Sequence, residues 1–315
     1  MTATVDELLD RAFEPNPNPE LALSLALVAV QGGEIVAERY GPGITADTTL
    51  VSWSTAKSVT HAALGFAVMD GLVDLDAPGV APEWADADDP RHAITLRHLL
   101  AMRSGLEFNE DYVDAGTSHC LEMLFGGGAH DIAHYAASQQ LLHPVDTHFN
   151  YASGTTNIIS RRVAQAYGGG RDAMAQLLRT RLFEPLAMTS AEPRFDEAGT
   201  WVGSSYLYAT ARDFARFGEL YLHDGVCDGR RLLPEGWVEF ARTQTSIDAG
   251  DGQGYGAHWW IWNDRHGTFA AQGYEGQLIA VVPSLDLVMV RLGKTPAEHR
   301  PALFDWYAEL LDALA

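Results

Sequence analysis

In the stretch LVSWSTAKSVTHAALG, residues 50–65, Ser54 stands three positions before Lys57, one of the two lysines in a chain of 315 residues. Residues three apart on a helix share a face, so this hydroxyl and this amine can meet one turn apart. The chemistry such a pair offers is nucleophilic acyl transfer, with the amine taking the hydroxyl's proton. Free N–H groups in the first helical turn would favour the negative charge that develops. The amine is a base only when neutral, so its pKa must fall from about 10.4 toward roughly 7 to 8, through desolvation or a neighbouring cation. Trp53, Ala56, Val59, Ala62, Ala63 and Leu64 offer apolar walls, and the local sequence offers no acid. The alternative is a lysine that packs its stem and shows its ammonium to water.

Two more stretches could complete such a site. In HFNYASGTTN, residues 148–157, Tyr151 precedes a Ser-Gly break and could pass the proton to a leaving group, or be an ordinary core tyrosine. In FAAQGYEGQLIAVVP, residues 269–283, Gly273 and Gly276 flank Tyr274 at the start of a strand. A glycine there lets a substrate lie against the backbone and an N–H face an oxyanion, or marks a plain bulge.

These residues need elements to hold them. LALSLALVAV (21–30) followed by QGGEIVAERYG reads as a β-hairpin turning at Gly32 and Gly33. Helix patterns follow at 54–70, at 95–102 with Thr95 as N-cap, at 131–142, at 155–170 stopped by three glycines, and at 209–225. YGAHWWIWND, GTFAAQG and QLIAVVPSLDLVMVRLG predict three or so antiparallel strands, and a helix over about 297–314 closes the chain. Two or three strands at each end cannot make separate stable sheets, so they should merge into one antiparallel sheet flanked by helices, with a mainly helical lobe inserted. The expected division is a sheet lobe of residues 1–70 and 200–315 and a helical lobe of 71–199, with the site between them.

Composition narrows the partners. With 47% hydrophobic residues the chain can bury a sizeable core, and a formal net charge of −21 repels nucleic acid and anionic lipid. No basic segment leads into an apolar one at the N-terminus, and the most apolar early run is too short to span a bilayer, which together predict a cytoplasmic protein without a membrane partner. Cys120 and Cys227 make no disulfide framework and read as packed small residues. HDIAH puts His130 and His134 four apart, but Asp131 stands where a zincin carries glutamate, so surface histidines explain it better and no metal is expected. No G-x-S-x-G and no glycine-rich loop followed by lysine occur, which disfavours α/β-hydrolase and P-loop chemistry.

In this order, SWSTAKS, ITLRHLLAMRSGLEF, FNYASGTTNIIS, ATARDFARFGELYLHDGVCDGRRLLPEGWV and GTFAAQGYEGQLIAVVPSLDLVMV resemble the serine β-lactamase and penicillin-binding-protein superfamily. The likeness is greatest to its esterase-like branch: class C β-lactamases, related carboxylesterases and 6-aminohexanoate-dimer hydrolases. It implies an α+β fold of the β-lactamase/transpeptidase type and a serine hydrolase acting on small ester or amide substrates, without a cofactor. It also implies that Ser54 is the acylated nucleophile, Lys57 its base and Tyr151 the second acid–base group. Backbone N–H groups of Ser54 and Tyr274 match the oxyanion hole. Tyr112 in NEDYVD, Ser153, Trp260, Gln272 and Gly273 fall beside the substrate, and Trp201 and Trp259 would add to an aromatic, mostly neutral pocket. The chain departs from the pattern in three places. Ala271-Gln272-Gly273 replaces Lys-Thr-Gly and lacks the cation that grips a β-lactam carboxylate; Ser153 replaces an asparagine; and Val145-Asp146 stands where relatives often show Pro-Gly. Weak β-lactamases, D-peptidases and non-catalytic sensors or scaffolds share the fold and stay open as alternatives.

Overall fold

In the computed structural model, which describes residues 3–315, Gly32 and Gly33 close the first hairpin with φ of 58° and 80°, left-handed values that cost a side-chain-bearing residue strain. Its strands are β1 (Leu23–Gln31) and β2 (Glu34–Tyr40). Short strands β3 (Leu50–Val51), β4 (Glu192–Pro193) and β5 (Leu207–Ala209) form a separate small sheet, and β6 (Val226–Cys227) pairs β7 (Arg230–Arg231). The C-terminal strands are β8 (Ser246–Ile247), β9 (Gly254–Tyr255), β10 (Trp260–Ile261), β11 (Phe269–Gly273), β12 (Gln277–Val282) and β13 (Leu287–Lys294). They join the hairpin in one antiparallel sheet of order β2-β1-β13-β12-β11-β10-β9-β8, as the merging of two marginal strand sets requires. Val28 lies opposite Val290, and Gly273 opposite Gln277.

The sheet is covered on both faces, which is why its central strands read as nearly continuous apolar runs. The period of two divides each strand between two cores. Val28, Ile279, Val281, Val288 and Val290 face one core, while Leu27, Leu278, Ala280, Leu287 and Met289 face the other. The second core is closed by α1 (Val5–Phe13) and α10 (Arg300–Leu314), where the Trp306 indole donates to the Leu8 carbonyl at 2.9 Å. Against the first lie α2 (Ala56–Met69) and α8 (Ala211–Leu222), with α3 (Leu96–Leu100), α4 (His119–Phe125), α5 (Ile132–Ala137), α6 (Ser153–Ala166) and α7 (Gly170–Leu178) stacked beyond; α9 (Trp237–Arg242) follows α8. No helix among the described residues is long and apolar enough to cross a membrane.

Several boundaries differ from the sequence pattern for visible reasons. The run QLIAVVPSLDLVMVRLG is two strands, turned at Pro283–Leu285 and at Asp286 with φ 50°, and two-residue strands add three more to the C-terminal set. The helix capped by Thr95 stops at Leu100 because Met102 is left-handed, φ 56°. The 131–142 pattern yields helix only to Ala137, after which Leu141 bridges to Leu106. Helix α1 went unread although Thr4 and Glu7 form a capping box before it.

Candidate active site

The segment entering α2 fixes Ser54. Ser52 anchors it to β5, its N–H donating to the Leu207 carbonyl at 2.8 Å and its hydroxyl to the Ser205 carbonyl at 3.0 Å. A 3-10 turn, Trp53–Thr55, then precedes the helix, and Trp53 takes a left-handed φ of 43°, a costly backbone for a bulky residue of the kind found beside functional groups. Ser54 therefore sits in a tight turn just before α2. Its hydroxyl faces the cleft, while Lys57, 1% exposed, points from the first turn of α2 into the interior.

The Lys57 Nζ lies 2.8 Å from the Ser54 Oγ, 2.9 Å from the Ser153 Oγ and 3.1 Å from the Ser204 carbonyl oxygen. Its amine is not in open water, so the snorkelling alternative fails. A valence count assigns the directions. The Ser153 hydroxyl gives its own proton to the Glu110 carboxylate at 2.5 Å, so toward Lys57 it only accepts, and a carbonyl oxygen always accepts. Lys57 therefore donates to both Ser153 and Ser204, and Ser54 is its one partner with a proton still free to exchange.

Glu110 is the residue that sequence reasoning missed, and it corrects the expectation of no acid nearby. One carboxylate oxygen accepts from the Ser153 hydroxyl and, at 2.9 Å, from the Tyr112 phenol; the other accepts from the Ser153 backbone N–H at 2.7 Å. Ala152, the N-cap of α6, has no polar side chain to offer, so Glu110 caps that helix from a distant loop. Its signal was an acid two residues before Tyr112, in a loop with no periodicity to show where it points.

Tyr151 lies just before α6 with its ring centroid 4.9 Å from the Lys57 Nζ, packed on Trp260 at 5.3 Å. Burial holds its phenol above the usual tyrosine range, with Lys57 pulling the other way. Gly273 lets the end of β11 press against the nucleophile turn. A Cβ there would meet the Ser52 carbonyl oxygen at 2.7 Å, so any side chain would push Tyr274 away from Ser54. The turn from Tyr274 to Gly276 is held from behind. Arg291, fully buried in β13, donates to the Glu275 and Gly276 carbonyls at 3.1 Å each, and the Tyr307 phenol donates to Gly276 at 3.0 Å.

Ser54, Tyr112, Tyr151, Trp260, Gln272, Gly273 and Tyr274 line one cleft of about 360 Å³. Lys57 and Ser153 lie behind it, joined by the bonds given above. A second hollow of about 390 Å³ beside Trp262 and α10 shares Phe304 with the cleft, and no nucleophile–base pair is among its described lining residues.

A family model described as Beta-lactamase matches residues 9–314. The chain belongs to the beta-lactamase family. Its likeness to the 6-aminohexanoate-dimer hydrolase of Paenarthrobacter ureafaciens is 26% identity over 320 residues, 93% of this chain and 78% of that protein. Among solved structures, a provisionally assigned 6-aminohexanoate-dimer hydrolase from Bacillus anthracis superposes with TM-score 0.79 at 23% identity, covering 92% of this chain and 79% of that one. A penicillin-binding-protein homologue from Caulobacter crescentus does so with TM-score 0.68 at 17% identity, covering 92% and 91%. The family match and the curated relative place the protein among hydrolases of the serine β-lactamase fold, as the motif blocks implied, and the two solved structures share its fold.

Within this beta-lactamase-family site two aromatic expectations need correction. Trp201 and Trp259 do not line the cleft. Trp201 is fully buried and donates to the Tyr206 carbonyl at 3.0 Å, and Trp259 packs on Phe217, Tyr221 and Phe269. Neighbours in an extended segment point to opposite faces, so Trp260 reaches the cleft and Trp259 the core behind it. Within HDIAH, His134 pairs with Glu83 at 2.8 Å, and Asp131 caps α5. The Val145-Asp146 departure also has a physical account. Asp146 has φ 65°, where glycine would be unstrained, and the Arg103 guanidinium holds its carboxylate at 2.7 Å.

Proposed function

We propose that the protein is a serine hydrolase that cleaves small ester or linear amide substrates through an acyl-enzyme on Ser54. The observation that carries this reading is the buried Lys57 Nζ at 2.8 Å from the Ser54 Oγ, with its other bonds taken by Ser153 and Ser204. Lys57 accepts the Ser54 proton as the Oγ–carbon bond forms. Backbone N–H groups of Ser54 and Tyr274 receive the oxyanion, a contribution of about 3 to 4 kcal/mol per donor. The carbonyl's bond to the leaving group then breaks, and Tyr151 supplies the leaving atom with a proton, which Lys57 returns to the phenol. Water attacks the acyl-enzyme in the same way and frees Ser54. A protonated phenol suits this role, in keeping with the raised Tyr151 pKa.

Glu110 completes the relay by fixing Ser153 as an acceptor for Lys57, which leaves Ser54 as the partner with a proton to exchange. Trp260, Tyr112 and Tyr274 give the cleft apolar and aromatic walls, which favour acyl groups without bulky charge near the reacting carbon. The similarity to a 6-aminohexanoate-dimer hydrolase supports including amides among the substrates. The test is intact-mass detection of a fluorophosphonate adduct, localised to Ser54, together with a panel of 4-nitrophenyl esters, linear amides and a chromogenic cephalosporin. Ser54→Ala should lose both adduct and turnover; retention of either refutes the assignment.

A further inference from the structure

Among the described residues lining the cleft, Arg300 is the one cation. It opens α10, and its Nη2 reaches the Gln272 Oε1 at 3.3 Å and the Asp251 carboxylate at 2.9 Å. Both bonds use the same nitrogen. No protein acceptor among the described residues takes Nη1 or Nε, so most of the planar donor fork is uncommitted. The guanidinium carbon lies 5.2 Å from the centre of the Phe304 ring, which also lines the cleft and orients the plane.

The pairing with Asp251 is a weak one. The two side chains are 48% and 33% exposed, a setting in which an ion pair contributes little and exchanges readily with another carboxylate. Gln272 is held on its other side by Gln253, its Nε2 donating to the Oε1 of that residue at 2.6 Å, so its carbonyl oxygen stays turned toward Arg300. Gln272 precedes Tyr274 by two residues on extended backbone, a separation of about 7 Å.

We propose that Arg300 recognises a carboxylate at the far end of the substrate, several methylenes from the reacting carbonyl, and that Asp251 holds this position until the substrate's own carboxylate replaces it. The inference rests on the acyl-enzyme reading of Ser54 and adds a substrate class to it: esters or amides of ω-carboxylate chains. Bidentate contact is what an arginine offers here and a lysine would not. Glu110, which lines the same cleft, is spent on Ser153 and Tyr112 and does not compete for the cation.

The test compares mono-4-nitrophenyl adipate with 4-nitrophenyl hexanoate, equal in chain length and different in one terminal charge. In Arg300→Ala the ratio of kcat/KM for adipate over hexanoate should fall about tenfold to a hundredfold, the loss expected for a charged hydrogen bond. Arg300→Lys should recover only part of it, and Asp251→Asn should raise the ratio severalfold. A ratio that moves less than twofold in Arg300→Ala, or rises, overturns the proposal; a rise would assign the mouth to cationic chains drawn by Asp248 and Glu275. Calorimetry of free adipate with Ser54→Ala protein, with and without Arg300→Ala, reads the same contact without turnover. If the unaltered protein hydrolyses neither ester, the Ser54 reading fails, while adipate binding still decides the role of Arg300.

Discussion

A buried arginine and a buried lysine, Arg291 and Lys57, are housed differently in this protein. Arg291 sits in the middle of β13 among oxygen acceptors only: the carbonyls of Leu23, Glu275 and Gly276 and the hydroxyls of Ser24 and Thr295. Burial pulls its pKa down, yet it stays a cation, since an arginine is not deprotonated in a protein. Lys57 has one carbonyl and two hydroxyls, and the hydroxyl of Ser54 can give up a proton. Acceptors around both terminal nitrogens make Arg291 a structural cation, its Nε alone lacking a partner; a hydroxyl that can exchange a proton suits Lys57 to the proposed chemistry. The two meet in the proposed mechanism, because Arg291 holds the turn that begins with Tyr274, the residue proposed to receive the oxyanion beside Ser54.

The comparison breaks most sharply at Lys57. Lys57→Met should lower kcat by about a thousandfold or more while cooperative folding is retained, measured by ester turnover and circular dichroism. Arg291→Met should do the reverse, destabilising the fold by about 3 to 5 kcal/mol in urea titration because several buried acceptors lose their donor. Arg291→Lys should recover little, since a point charge cannot span those acceptors. Glu110→Gln tests whether the relay needs a carboxylate: kcat should fall about tenfold to a hundredfold with KM moving less, and a change confined to KM would remove Glu110 from the relay.

Two buried histidines are held neutral. Burial pulls His258 down to about 3, with Lys57 adding to the shift, and His61 is likewise held neutral. Both pKa values are depressed on folding, so the unfolded chain binds protons that the native one refuses. Stability is then full above about pH 6.5 and lost as pH falls toward the folded value, with a slope of order 1 kcal/mol per pH unit for each histidine. Urea midpoints between pH 6.5 and 5 should show this, and His258→Gln should reduce the slope.

Much of this was legible beforehand, and what escaped did so for physical reasons. The Ser54–Lys57 spacing, the merged sheet and the Thr95 cap follow from local periodicity and capping, which the chain writes openly. Glu110 acts through a loop more than forty residues away from Ser153, and no local pattern reports such a contact. Arg291 alternates with valines in a strand and would be taken for a solvent-facing charge. Trp201 and Trp259 were placed by composition, which cannot tell the two faces of an extended segment apart. Two-residue strands fall below the length at which alternation can be seen.

The neutral cage around Arg291 bears on how the protein should behave in brine. Dissolved ions weaken contacts between opposite charges at a surface, but they have no counter-charge to displace where a guanidinium is held by peptide dipoles out of their reach. With a formal net charge of −21, added salt should chiefly relieve the molecule's self-repulsion, leaving the turn from Tyr274 to Gly276 as it was.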